Sequence, residues 1–151
     1  MPNMCLHFCI QPADDFLDNR ENIIGEAEGS GAGMLSCCRD LIALSIHQDA
    51  IRSRNIAIPL VHDENRVIAF HRWDDGEDLL VVGSLNDTPF EHGHRLHCER
   101  MGGDVWEEIF NTDADKYGGW NVGNGGGRIR ATAGVLDAVL PASGVLVFRR
   151  L

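Results

Sequence analysis

Beyond Pro59 the chain is a series of short apolar runs with a two-residue period, broken by Asp, Gly and Pro, with no helical period between them. Residues 66–73 place Val67, Ala69, His71 and Trp73 on one face of an extended strand and Ile68, Phe70 and Arg72 on the other. Residues 79–85, LLVVGSL, are apolar on both faces, the pattern of a central strand covered on both sides. Asp74–Asp78 joins the two runs through an Asp-Gly pair, which reads as a β-hairpin. Further strands are predicted at 94–98, 104–111, 127–132, 135–140 and 144–150. Strands in sequence without alternating helices predict a mainly β fold, an antiparallel β-sandwich.

The segment before these strands has a different character. Residues 33–50 carry Met34, Leu35, Cys38, Leu41, Ile42 and Ser45 at three- and four-residue spacings, predicting one amphipathic helix. A lone amphipathic helix is marginal in water, so the Met34–Ile42 stripe needs a partner surface, in this chain or another. Residues 1–32 show no periodicity and read as an irregular N-terminal segment. The expected organisation is therefore 1–32 irregular, 33–55 helical and 56–151 β-domain.

Charge and cysteine content narrow the partners. The formal net charge of −10 leaves no basic face for phosphates, which speaks against nucleic acid and against an anionic membrane surface. Neutral polymers such as glucans are unaffected by that argument. No apolar run reaches the ~18 residues of a spanning helix, and the N-terminus lacks a basic n-region, so a cytoplasmic location is expected. Five cysteines, two of them adjacent and none in a C-x-x-C, read as free thiols in a reducing compartment.

Several residue clusters invite a chemical reading, and each has a simpler one. Tyr117–Gly127 has six glycines in eleven residues but no G-K-[ST], and a strand follows it, so it reads as a shaped loop and not a phosphate cradle. Alternation would point His92 and His94 the same way as two metal ligands, but His97 would face oppositely and no third ligand completes a site. His71 in an apolar strand reads as a satisfied interior histidine, and no cysteine sits in a nucleophile turn. Asp113 and Asp115 lie in one turn, whereas glycoside chemistry needs two carboxyls roughly 5–10 Å apart across a cleft. Trp73 and Trp106 fall in predicted strands and read as core. Tyr117 and Trp120 fall in the glycine-rich loop and are the candidates for exposure and for stacking on sugar rings. No catalytic residue, metal ligand or cofactor site is assigned.

Three ordered segments then become specific together: RDLIAL at 39–44, HDENRVIAFHRW at 62–73 and WEEIFNTDADKYGGWNVGNG at 106–125, with VVGSLN at 81–86 between them. Residues 33–151 thereby resemble the C-terminal part of α-glucan branching enzymes of glycoside hydrolase family 13, the α-amylase superfamily. The resemblance implies that residues 33–50 correspond to the last helix of a catalytic barrel and the following strands to the all-β domain behind it. Phe16-Leu17-Asp18 weakly echoes a segment near the end of that barrel. Ser45-Ile46-His47-Gln48 and His94-Arg95-Leu96-His97 depart from the family pattern, as do residues 1–30, which hints at a truncated or rearranged gene.

A (β/α)₈ barrel needs about 250 residues and draws its catalytic groups from several strand ends. Almost none of that is present here, so no catalytic residue transfers. The resemblance implies an accessory domain of a 1,4-α-glucan branching enzyme, inert alone, with α-glucan, a catalytic barrel or a second copy of the chain as partner. A free-standing α-glucan-binding module, resting on Tyr117 and Trp120, is the alternative. An independent metal protein resting on the His92 cluster is a third reading.

Overall fold

The computed structural model describes residues 29, 31–97 and 104–151. Cys5, Cys9, Cys98 and the Phe16-Leu17-Asp18 segment lie outside the described residues. Helices α1 (Ala32–His47) and α2 (Asp49–Arg52) come first. Eight strands follow: β1 (Ile56–His62), β2 (Val67–Asp74), β3 (Glu77–Ser84), β4 (Phe90–His97), β5 (Val105–Asn111), β6 (Arg128–Arg130), β7 (Val135–Leu140) and β8 (Gly144–Arg150). A 3₁₀ turn, Asp115–Tyr117, opens the glycine-rich loop.

All pairings are antiparallel. One sheet runs β1-β2-β3-β8-β5-β6 and the other is the β4-β7 pair, the expected sandwich. The β2–β3 hairpin closes through Asp75-Gly76, where Gly76 takes a φ of +83°. A Cβ is costly at that backbone angle, so the Asp-Gly pair fixes the register of the hairpin.

The six-stranded sheet is covered on both faces. Leu80, Val82, Trp106, Leu146 and Phe148 pack across to Leu96, Leu136, Ala138 and Leu140 of the two-stranded sheet. Leu79, Phe110 and Val147 form a second cluster on the other face, closed by Cys37 and Leu44 of α1 and Ala50 and Ile51 around α2. The doubly apolar LLVV run follows from this three-layer arrangement, because alternate residues of β3 enter different clusters.

The helical part differs from the sequence expectation in two respects. First, the helix stops at His47 and Gln48 is extended (φ −108°, ψ 106°), so α2 starts a new turn where one continuous helix was expected. The break lets α2 sit on the β2–β3 hairpin. There Arg72 donates to the carbonyls of Ala50 (3.1 Å) and Ser53 (2.6 Å), and the Ala50 N–H donates to Glu77 (2.7 Å).

Second, the face turned to the sheet carries Cys37 and Leu44, not the Met34–Ile42 stripe. Met34 (58%), Leu41 (42%), Ile42 (60%) and Ile46 (57%) are exposed. At Gly33 a Cβ would stand 2.2 Å from the Tyr117 carbonyl oxygen, so only glycine lets the helix approach the loop so closely.

Strand β1 adds to the predicted strands and carries Pro59 within it. It is the sheet edge, and its pairing with β2 shifts register between Ala57 and Leu60, around the proline. Edge strands and bulges are where a missing N–H is tolerated.

Leu80 is fully buried between the layers, whereas Val145 is 36% exposed on the adjoining strand. Leu80→Ala is expected to cost about 2–5 kcal/mol and Val145→Ala only about 0.5 kcal/mol, as read by urea unfolding.

Candidate functional site

The glycine-rich loop between β5 and β6 is held by two acidic side chains acting as internal acceptors. Asp113 accepts the N–H groups of Trp120 (3.2 Å) and Val122 (2.9 Å) on its carboxylate, and that of Asn121 (2.7 Å) on its carbonyl. Glu108, buried at 6% exposure, accepts from the Asn124 N–H (2.7 Å), the Asn124 amide (2.8 Å) and the Gly126 N–H (3.1 Å). The Asn124 side chain also pairs with both backbone groups of Val139 in β7, at 3.0 and 3.1 Å, tying the loop to the second sheet. At Gly119 a Cβ would lie 2.2 Å from the Asp113 carbonyl oxygen, so the loop can wind around Asp113 only with glycine there. Asp113 is thus a scaffold residue, and Asp115 stands on the exposed 3₁₀ turn beside it.

The two loop aromatics part company. Trp120 is 90% exposed, while Tyr117 is half-buried. The Tyr117 ring lies 5.9 Å from that of Phe110, and its hydroxyl donates to Asp40 of α1 at 2.5 Å. Lys116 reaches the same carboxylate at 2.6 Å. The Lys116 and Tyr117 hydrogen bonds hold the Asp40 carboxyl below the usual carboxylate range, while burial, then Asp40, pushes the Tyr117 phenol up. Tyr117 therefore fastens α1 to the loop, and Trp120 alone presents an open indole. Among the strand tryptophans, Trp106 is fully buried and Trp73 stacks on His71 with ring centroids 5.1 Å apart. His71 is interior, with Nε2 at 2.8 Å from Asp78.

The histidine run does not form the pair that alternation suggests. Gly93 has a φ of +92° and the β4–β7 register shifts between Phe90 and His94. His92 is consequently exposed and His94 buried. The bulge is invisible in the residue pattern, since glycine in a strand is only a weak sign of one. His94 instead meets His62 of β1 edge-on at 5.8 Å, packs on Phe90 at 4.8 Å and lies 3.2 Å from the Asn65 amide. Among the described residues no group of three or more His, Cys, Asp or Glu is placed to hold a metal ion. Cys37 and Cys38 are free thiols, Cys38 on the open side of α1, and burial pushes the Cys37 thiol up. Among the described residues, too, no helix is long and apolar enough to cross a membrane.

Residues 58–150 match the family of the alpha amylase C-terminal all-beta domain, and the chain belongs to that family. It is 40% identical over 92 residues to the 1,4-alpha-glucan branching enzyme GlgB of Pseudomonas syringae pv. tomato, covering 56% of this chain and 12% of that one. It is 44% identical over 73 residues to GlgB 2 of Xanthomonas campestris pv. campestris, covering 47% of this chain and 10% of that one. The chain thus spans only about an eighth of the length of the relatives it matches. In fold it is similar to an alpha-amylase from H. orenii (TM-score 0.54, 21% identity, 78% of this chain and 20% of that one). A similar likeness links it to the alpha-glucosyl transfer enzyme XgtA (TM-score 0.53, 20% identity, 83% of this chain and 19% of that one).

Two outcomes follow from this geometry. Trp120→Ala is expected to leave the urea midpoint nearly unchanged, while Gly119→Ala lowers stability by at least about 1 kcal/mol, because its Cβ collides with backbone. Burial, with His62 adding to it, holds His94 below its ordinary value of 6.5. The unfolded chain then binds the proton more readily, so stability is full above pH 6.5 and declines as the pH falls below it. A His94→Gln variant is expected to show a flatter stability profile between about pH 6.5 and 5 in denaturant titrations.

Proposed function

We propose that this chain is an accessory all-β domain of a 1,4-α-glucan branching protein, supporting a catalytic barrel and making no or breaking no glycosidic bond itself. The observation that carries the reading is the two-sided helix. One face of α1 closes the second core cluster through Cys37 and Leu44, while Met34, Leu41, Ile42 and Ile46 line an open side. A helix that finishes the β-domain with one face and offers apolar side chains on the other suits a joint between two bodies. The match to the family and to branching enzymes supports the same role, with the barrel seated on that open side. A reducing, cytoplasmic setting fits the exposed thiol of Cys38 within the stripe.

Two acidic side chains that hold the glycine-rich loop fit that inert role. Asp113 and Glu108 are committed to backbone N–H groups of their own loop, so neither stands free as nucleophile or acid.

A chimera tests the assignment. Residues 33–151 would replace the corresponding C-terminal region of the P. syringae branching enzyme, and branching would be followed by the loss of amylose–iodine absorbance. The chimera is expected to branch, the chain alone is expected not to, and Ile42→Asp in the chimera is expected to reduce activity or yield at least about tenfold. A chimera that folds but leaves amylose unbranched would overturn the assignment.

A further inference from the structure

We infer that the loop end of the sandwich around Trp120 is a binding surface for a neutral α-glucan chain. Trp120 overhangs a depression of about 440 Å³ formed where three connections converge. The β5–β6 connection contributes Asp113, Trp120 and Val122, the β3–β4 connection and the start of β4 contribute Asp87, Pro89 and Glu91, and the β7–β8 turn contributes Ala142. This volume lies within the ~300–1,000 Å³ typical of small-ligand sites.

Three properties select the ligand class. The first is the open indole. Trp120 lines the depression with its indole 90% exposed, available for stacking, whereas Trp106 is buried and Trp73 stacks on His71. The second is rigidity. Asp113 pins the peptide N–H groups of Trp120, Asn121 and Val122, and Asn121 sits at a φ of 59°. A ligand stacking on the indole therefore does not have to order the backbone that carries it, which removes one of the costs of binding. The third is the polar rim. Asp87 and Glu91 supply carboxylate oxygens, acceptors that repel an anion but take hydroxyl hydrogens in charge-assisted bonds. An apolar plate flanked by pure acceptors matches a pyranose, whose C–H face lies on the ring and whose hydroxyls donate sideways. Phosphorylated sugars and nucleic acid are opposed by the same carboxylates and by the net charge of −10. The choice of α-glucan among pyranose polymers rests on the proposed function above.

The test is affinity electrophoresis of the full chain through gels containing glycogen, soluble starch or hydroxyethylcellulose, with intrinsic fluorescence under added maltoheptaose as a second readout. The wild-type chain is expected to be retarded by glycogen and starch and not by the cellulose derivative. Its emission should shift to the blue as Trp120 leaves water. Trp120→Ala is expected to weaken retardation about tenfold or more and to abolish the shift, with an unchanged unfolding midpoint. Asp87→Asn with Glu91→Gln is expected to weaken it severalfold. Equal retardation of wild type and Trp120→Ala, or none for either, would overturn the inference. Retardation by the cellulose derivative alone would overturn the α-glucan class. An active chimera with an unretarded chain would sink this surface and leave the domain assignment standing; an inactive chimera with a retarded chain would do the reverse.

Discussion

Strands β3 and β8 lie at the centre of the six-stranded sheet and are apolar on both faces, and that is the constraint from which the rest of the architecture follows. Leu80, Val82, Leu146 and Phe148 require cover from one side, and Leu79 and Val147 require it from the other. The β4–β7 pair supplies the first cover. Among the described residues, α1 and α2 supply the second. Helix α1 is therefore part of the β-domain's own packing, even though its sequence resembles the end of a different structural body. Removing it would expose Leu79, Phe110 and Val147 together, a large apolar loss for a domain of this size.

Holding the helix in place is a matter of polar joints as much as apolar burial. Asp40 receives both the Tyr117 hydroxyl and the Lys116 ammonium. Gly33 allows α1 to touch the backbone of the same turn. The ammonium and carboxylate are both substantially exposed (61% and 44%), so the pair adds direction more than strength. At the other end, Arg72 satisfies carbonyls around α2. The helical layer is thus fastened to the loop end by Tyr117 and to the hairpin end by Arg72.

Much of the fold was legible because it is written in local chemistry. The β2–β3 hairpin is announced by Asp-Gly between apolar runs, and the two-faced LLVV run announced a strand with cover on both sides. Trp106 was readable as core for the same reason. What escaped depends on information that residue type does not carry. The helix stripe Met34–Ile42 satisfies the 3.6-residue period as well as the Cys37–Leu44 face does, so only the shape of the sheet decides which is buried. The bulge at Gly93 reverses the sense of His92 relative to His94 without any change in composition. Tyr117 and Trp120 are three residues apart in one glycine-rich loop, and their contrast arises from a carboxylate on a distant helix, Asp40, that no local pattern announces.

The loop shows how a segment with six glycines in eleven residues can still be rigid. Glycine lowers the cost of unusual backbone angles but raises the entropy lost on ordering, so such a loop stays fixed only if its N–H groups find strong acceptors. Glu108 and Asp113 meet that need from β5 and its exit, and the Asn124 side chain imitates a strand neighbour for Val139. Carboxylates that would otherwise be read as chemistry are consumed in building a platform. The indole set on that platform is left 90% exposed, so the order of the loop owes nothing to its burial.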